Sequence, residues 1–305
     1  MRNTEYSMLI KKIIFPLGMF VVIFGFTVDC RSEAGYSPHI PEKMNTENLR
    51  NRSEIQVATH QDSSEADSSK NISIQLSIPR RVENKAFAVG EHLVFEIAYK
   101  FIKAGTATMS IPDTQWVDGR PCYHVVTTAR SNKFFDSLFK VRDRVETFID
   151  MEGLFPWKFE KHIREGKYRT HRTIEYDQLN QRVIYNKKDT LAVPPFVQGV
   201  LSSFYYVRVL PLEVGKSLDI DNYGDGKMYP LKVMVHKKER VEVPAGTFNC
   251  IVVEPAIRGK GIFNQKGRMA IWLTDDDRRI PVLMKSKVAI GSIDVRLKSM
   301  KTKMK

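Results

Sequence analysis

Residues 93–99 read LVFEIAY, and this stretch sets the pattern that decides the fold. One face of the extended chain would carry Leu93, Phe95, Ile97 and Tyr99. Because side chains alternate between the two faces of a strand, this spacing predicts a β-strand with one face in a core. The alternation recurs at 157–163 and at 231–235. The chain is therefore expected to be mainly β.

Turn-forming residues separate these stretches at the spacing of hairpins. The turns are expected at Asp118-Gly119, Glu165-Gly166, Gly224-Asp225-Gly226, Pro244-Ala245-Gly246 and the acidic run 275–277. We expect about twelve antiparallel strands in all. That number is too large for one flat sheet, so the sheet should curl into an open or closed barrel.

Residues 198–210 break the alternation. Apolar positions recur there at intervals of three and four residues, and prolines flank the stretch on both sides. This pattern predicts one amphipathic helix packed on or in the sheet, with Leu201, Phe204 and Tyr205 turned into the curl. The helix would act as a structural plug or, alternatively, as a lid that lines a ligand site. A second, shorter helix is expected at 132–139.

The N-terminus has the pattern of an export leader. Arg2, Lys11 and Lys12 precede the apolar run 13–28, whose 16 residues would rise about 24 Å as a helix, short of the roughly 30 Å hydrocarbon core. This favours a signal peptide over a membrane span, with cleavage before Gly35. Lipidation of Cys30 is the alternative, although lipoprotein signals usually have a small residue at the position of Asp29. Whether the leader is cleaved, lipidated or retained stays open.

The expected organisation is a leader or anchor at 1–34, a flexible polar tether at 35–70 and a single β-rich domain at 71–305. The tether has almost no aromatic residues and cannot bury enough apolar surface to order itself. A period-two stretch at 72–78 marks the expected start of order. The leader indicates export, to the periplasm or cell envelope of a Gram-negative bacterium.

The net charge of +13 limits the partners. Residues 85–305 account for the whole excess, with 38 basic and 25 acidic side chains. A basic domain outside the cytoplasm rarely meets nucleic acid, so lipid head groups or acidic glycans are the expected electrostatic partner. The simpler alternative is that lysines and arginines keep solvent-facing strand positions soluble.

Two cysteines remain beyond the leader, Cys122 and Cys250. An oxidising compartment would allow one disulfide between them. Each also sits in an apolar, strand-like run where a free cysteine packs well, so two buried thiols are equally compatible with the sequence.

Several short segments occur in an order that resembles a known family. They are Val89-Gly90-Glu91, Ala104-Gly105-Thr106-Ala107, Val141-Arg142-Asp143-Arg144, Leu201-Ser202-Ser203-Phe204-Tyr205-Tyr206, Pro244-Ala245-Gly246-Thr247-Phe248 and Ile271-Trp272-Leu273-Thr274-Asp275-Asp276. Over about residues 86–300 the chain resembles the exported bacterial domain-of-unknown-function family 3108, common in the Bacteroidetes. The resemblance implies a leader and a β-rich fold, and it implies no catalytic residue and no ligand.

No residue pattern indicates catalysis, a metal or a cofactor. Ser203 lies within the helix pattern and lacks the Gly-x-Ser-x-Gly turn of a hydrolase. His162 and His171 fall on strands that could be neighbours, with Arg164 and Arg169 between them, which favours a solvated basic stripe over a metal site. The acidic run 275–277 lacks the alternate spacing of a calcium loop.

We therefore expect a non-catalytic cell-envelope protein that binds a lipid-like or amphipathic ligand, or docks an envelope partner, in a curved β-sheet. The alternatives are an enzyme that acts on a cell-wall or lipid substrate, and a structural scaffold without a small ligand.

Overall fold

The computed structural model describes residues 80–99, 101–257, 269–287 and 292–302. The leader, the tether, Cys30 and the strand expected at 72–78 lie outside the described residues. Within the described ranges the chain is mainly β, as the alternation predicts, with two helices.

The described strands, in chain order, are the following. They are β1 (His92–Tyr99), β2 (Ile102–Val117), β3 (Arg120–Ser131), β4 (Arg142–Asp150), β5 (Pro156–Glu165), β6 (Tyr168–Asp177), β7 (Arg182–Tyr185), β8 (Asp189–Ala192), β9 (Gln198–Gly199), β10 (Ser217–Ile220), β11 (Asn222–Gly224), β12 (Lys227–Met228), β13 (Leu231–Val243), β14 (Gly246–Ile257), β15 (Met269–Thr274), β16 (Pro281–Lys287) and β17 (Ser292–Lys301). The two helices are α1 (Lys133–Asp136) and α2 (Val200–Val209).

Fourteen of these strands form one antiparallel sheet, in the order β10-β13-β14-β15-β16-β17-β1-β2-β3-β4-β5-β6-β7-β8. The first strand, β1, lies beside the last, β17, near the middle of this order. The end strands β10 and β8 do not pair with each other, so the sheet is open. A small second sheet has the order β12-β11-β9. Six strands have four residues or fewer, too short for alternation to reveal, which is why the sequence predicts only about twelve.

The large sheet is curled around a single core. Leu93 and every second residue to Tyr99 belong to that core, which confirms the predicted face. The same apolar cluster contains Val183 on β7 and Val233 on β13, each on the strand next to one end of the sheet. Inward side chains from both ends can share one cluster only if the sheet bends back on itself.

Two hairpin turns contain a glycine at a position with positive φ. Asp118 and Gly119 both have positive φ, at 49° and 74°, and so do Asp225 and Gly226, at 44° and 92°. Two successive residues with positive φ make the turn that matches the twist of paired strands. Both turns lie where the sequence predicts them.

Both helices are shorter than their sequence patterns. The stretch expected at 132–139 is helical for one turn, capped by Asn132, whose side chain accepts a hydrogen bond from the Phe135 amide (3.0 Å). In the stretch expected at 198–210, Gln198 and Gly199 form β9 and pair in parallel with β11 before α2 begins. That pairing is non-local, so helical periodicity cannot reveal it.

Cys122 and Cys250 are free thiols, and both are buried. Cys122 lies on β3, between β2 and β4, and Cys250 lies on β14, between β13 and β15. These strands are not neighbours, so the structure contains the free-thiol alternative and not the disulfide. Burial raises the pKa of Cys122 to about 12 and that of Cys250 to about 11, which keeps both protonated.

Candidate functional site

The helix α2 lies against the inner face of the curled sheet. Leu201 and Tyr205 are fully buried in the core, and Phe204 is half-buried and packs against it. The Tyr205 ring meets Phe87 edge-on, with 4.9 Å between ring centroids. All three side chains expected to point into the curl therefore belong to the core or pack against it.

A small apolar cavity separates α2 from strands β13, β14 and β15. Its volume is about 40 Å³. The lining residues are Val200, Ser203, Phe204 and Val207 of the helix, and Leu231, Val233, Val253, Pro255, Met269, Ile271 and Leu273 of the strands. A water molecule needs about 10–15 Å³ of such volume. The cavity therefore holds only a few atoms unless a wall side chain such as Phe204 moves. We call this cavity with its lining residues the α2 groove.

Ser203 contributes the polar side chain of the α2 groove. Its hydroxyl donates to the carbonyl oxygen of Val200 (2.8 Å) and accepts from the Asn222 side-chain amide (3.1 Å). Such back-bonding within its own helical turn is common for a serine inside a helix. The hydroxyl therefore presents no free proton to the groove.

A buried ion pair fixes the C-terminal end of α2. Both terminal nitrogens of Arg208 donate to the carboxylate of Glu91, each at 2.8 Å. Arg208 also donates to the backbone oxygens of Ala86 and Arg278, each at 3.1 Å. Both charged side chains are almost wholly inaccessible to solvent. The helix end is thus tied to the segment before β1 and to the turn between β15 and β16.

A second buried charge lies near the N-terminal end of α2. The ammonium group of Lys161 donates to both carboxylate oxygens of Asp225, at 2.9 and 3.1 Å. Close by, the Tyr176 hydroxyl approaches Gly199 so closely that a Cβ there would lie 2.4 Å from it. Lys161 interrupts the apolar face between Phe159 and Ile163, although no motif marks it. That interruption is the signal that could have found it.

Two carboxyl groups face each other on the inner side of β4 and β5. Asp143 Oδ1 accepts from the backbone amide of Arg164 (2.8 Å). Asp143 Oδ2 and Glu165 Oε1 are buried and receive no hydrogen bond from another described residue. Burial raises the pKa of both carboxyls, and the charge of Asp143 raises the pKa of Glu165 further. Because both pKa values are raised, we expect the pair to hold one proton near neutral pH, which would let one carboxyl donate to the other.

The outer face carries the histidines that the sequence singles out. His162 and His171 are direct partners on β5 and β6, and their rings stack with centroids 4.1 Å apart. Glu160 completes a group whose ligand atoms lie within 4.8 Å of one another. The Lys158 ammonium already pairs with Glu160 at 2.6 Å, so a cation would have to compete with it. Arg164 and Arg169 are also direct partners on the same two strands, which agrees with the basic stripe expected from the sequence.

The sequence matches one family model. The family is described as protein of unknown function DUF3108, and the match covers residues 94–298. A comparison with curated proteins finds no match. Among the described residues, neither helix has the length and apolar character that a membrane-crossing helix needs.

Three solved structures resemble the fold. One is a β-barrel-like protein of domain of unknown function DUF1849 from Brucella abortus, with a TM-score of 0.48 and 11% identity, covering 72% of this chain and 100% of that one. Another is a "putative lipoprotein" from Parabacteroides distasonis, with a TM-score of 0.33 and 10% identity, covering 71% and 97%. A "putative exported protein" with a YmcC-like fold from Bacteroides fragilis has a TM-score of 0.28 and 14% identity, covering 71% and 98%.

Proposed function

Because this chain belongs to the DUF3108 family of proteins of unknown function, we propose a function from its own geometry. The protein is a non-catalytic component of the bacterial cell envelope that holds an apolar chain in the α2 groove. The observation that carries this proposal is a cavity with almost entirely apolar walls between a helix and the inner face of a curled sheet. Apolar concave surfaces with few polar groups are the usual sites for lipid-like ligands.

The wall chemistry of the α2 groove supports an apolar ligand. The hydroxyl of Ser203 is engaged with Val200 and Asn222, so the groove offers a ligand dispersion contacts and no strong hydrogen bond. A charged or sugar-like group would lose its water there without compensation. An acyl chain would lose nothing by entering, because its hydration is already unfavourable.

The attachments at the two ends of α2 support one way for the groove to open. One end is fixed by the Arg208–Glu91 pair, and Gly199 at the other end is packed against the Tyr176 hydroxyl. The half-buried ring of Phe204 lies between these ends, in the wall of the cavity. Rotation of this ring would lengthen the cavity without breaking either attachment. A chain would thus enter beside Phe204 while the helix stays docked.

The location in this proposal rests on the sequence. The basic residues before the apolar run 13–28 have the arrangement of a signal peptide, and an envelope compartment is where a carrier of acyl chains would meet them. Export is tested by expressing the tagged full chain in a Gram-negative host and following processing of its N-terminus. Unprocessed protein that remains in the cytoplasm would remove this part of the proposal.

Ligand binding is tested with a fluorescent fatty acid, dansyl-undecanoic acid, titrated into the purified full chain. We expect saturable binding that strengthens in Phe204→Ala, which enlarges the cavity, and weakens in Phe204→Trp, which fills it. Tyr206→Ala is the matched control, because Tyr206 is an aromatic residue of the same helix that does not line the cavity. Binding that is absent from the wild type and from Phe204→Ala would instead support a scaffold.

Native mass spectrometry of the same preparations identifies what the protein carries from cells. A co-purifying acyl lipid, reduced in Phe204→Trp and kept in Tyr206→Ala, is the expected result. Release of a cleaved lipid or cell-wall fragment during incubation would contradict the non-catalytic part of the proposal and favour an enzyme.

A further inference from the structure

Exposed apolar side chains are concentrated at one end of the sheet. Among the described residues, ten large apolar side chains are exposed, and five of them lie at the turns of this end. The five are Phe101, Ile102, Phe134, Leu138 and Tyr168, and we call them the aromatic rim. Phe101 is 97% exposed, Phe134 is 68% exposed and Tyr168 is 57% exposed. Such a concentration of exposed rings indicates an interaction surface.

Hydrogen bonds join the three segments of the rim into one surface. Asn132 lies just before α1. Its side chain donates to the carbonyl oxygen of Lys103 (2.6 Å), and its backbone amide donates to the carbonyl oxygen of Ala104 (3.0 Å). These bonds hold the α1 segment beside the β1–β2 turn. The Gly166 amide donates to the carbonyl oxygen of Lys140 (2.9 Å), which holds the β5–β6 turn on the other side of the α1 segment. The rings therefore project from neighbouring, ordered turns.

The rim carries a positive charge that the described carboxylates do not neutralise. The exposed cations around it are Lys133, Lys140, Lys167 and Arg169, none of which forms an ion pair with a described carboxylate. The nearby carboxylates are already engaged. Asp136 pairs with Arg142 (2.5 Å), and Glu165 Oε1 is buried, with burial raising the pKa of its carboxyl. An approaching surface therefore meets apolar rings surrounded by free cations.

We propose that the aromatic rim docks the β domain on a bilayer that contains acidic phospholipids. Aromatic rings partition into the interfacial region of a bilayer, and lysines near its surface are attracted by anionic head groups. The rings stand on separate protruding turns and do not line a groove, which suits a broad bilayer surface better than a single protein side chain. This site is distinct from the α2 groove, so either proposal can fail without the other.

A fluorophore at the rim reports insertion directly. The full chain carries Cys30→Ser and Phe134→Cys, labelled with nitrobenzoxadiazole, while Cys122 and Cys250 are buried and protected from the label. With vesicles of phosphatidylcholine and phosphatidylglycerol we expect the emission to rise and shift to shorter wavelength. The matched control is Leu179→Cys, labelled in the same background, whose turn lies between β6 and β7 at the opposite end of the sheet. Its emission should not change.

This readout separates the rim from the leader, because the leader is identical in both labelled proteins. Equal changes at positions 134 and 179, or no change at 134, would overturn the proposal. A change at 134 without vesicles that grows with protein concentration would also overturn it, in favour of association between proteins. High salt should suppress the change, because screening at about 1 M leaves a Debye length of only about 3 Å.

Charge is tested separately with a pair of double variants of equal net charge. Lys133→Gln with Lys167→Gln removes two rim cations and should weaken binding to the acidic vesicles by about 25-fold, at roughly 5-fold per lysine. Lys298→Gln with Lys301→Gln removes two exposed lysines at the far end of β17 and should weaken it far less. Equal losses would show that net charge alone acts, and would contradict a docking rim. Pure phosphatidylcholine vesicles should bind all variants weakly and equally.

Discussion

Truncation of Phe204 to alanine distinguishes a plug from a lid. The ring is half-buried, packs against the core and forms a wall of the 40 Å³ cavity. A fully buried phenylalanine costs about 3–5 kcal/mol when it is truncated to alanine. Because part of the Phe204 ring is exposed, we expect Phe204→Ala to lower the free energy of unfolding by about 2–4 kcal/mol. A loss of this size identifies α2 as a structural plug whose ring also lines the groove.

Urea titrations of the wild type and two variants measure this difference. Phe134→Ala is the control, because Phe134 is an exposed ring on α1 and its truncation should change stability by less than about 0.5 kcal/mol. The urea dependence of the unfolding free energy must stay equal among the three proteins for the comparison to hold. A loss below about 1 kcal/mol in Phe204→Ala would refute the plug, because mobile lids come from the least stable parts of a structure.

Three further predictions concern buried groups. The Tyr205 hydroxyl is buried and has no hydrogen-bond partner among the described residues, so Tyr205→Phe should raise the free energy of unfolding by about 1 kcal/mol in urea titrations, and a loss would reveal a partner. The pKa of Glu165 is raised from 4.5 to about 8 in the folded protein, mainly by burial and then by Asp143, so the folded state binds the extra proton. The stability that this proton supplies is complete below about pH 4.5 and is lost as the pH rises towards 8. Stability should therefore fall between pH 6 and 8 in the wild type and less steeply in Glu165→Gln; parallel curves would disprove the shared proton. Since Cys122 and Cys250 are free, melting temperatures measured with and without reductant should agree. A lower melting temperature in reductant would instead support a disulfide between them.

The sequence predicts those parts of the fold that depend on neighbours along the chain. The buried face that begins at Leu93, the turn at Asp118-Gly119 and the proline-bounded helix all follow from local periodicity and backbone preference. The resemblance to the family is confirmed by the match over residues 94–298.

The candidate site depends on pairings that local patterns do not contain. Arg208 and Glu91 are 117 residues apart, and Lys161 and Asp225 are 64 residues apart. Local patterns mark Lys161 as a charge on an apolar strand face but do not name the partner of any of the four charges, because only the folded sheet brings the partners together. The rim is similarly non-local, since the phenylalanines at 101 and 134 become neighbours through the bonds made by Asn132.

The position of β17 beside β1 bears on the order in which the chain can fold. The two strands pair from His92 with Lys301 to Tyr99 with Ile293, so β17, the last of the described strands, completes the middle of the sheet. Before β17 arrives, β1 and β16 each present an unpaired edge, and two partial sheets remain unconnected. Pairings of such long sequence separation form slowly, because the chain must lose the entropy of a long loop before any stabilising contact forms. We therefore expect the two partial sheets to stay unjoined until β17 has been made. Deletion of β17, residues 292–301, should leave β1 and β16 as two unpaired edges at the centre of the sheet, and aggregation should follow.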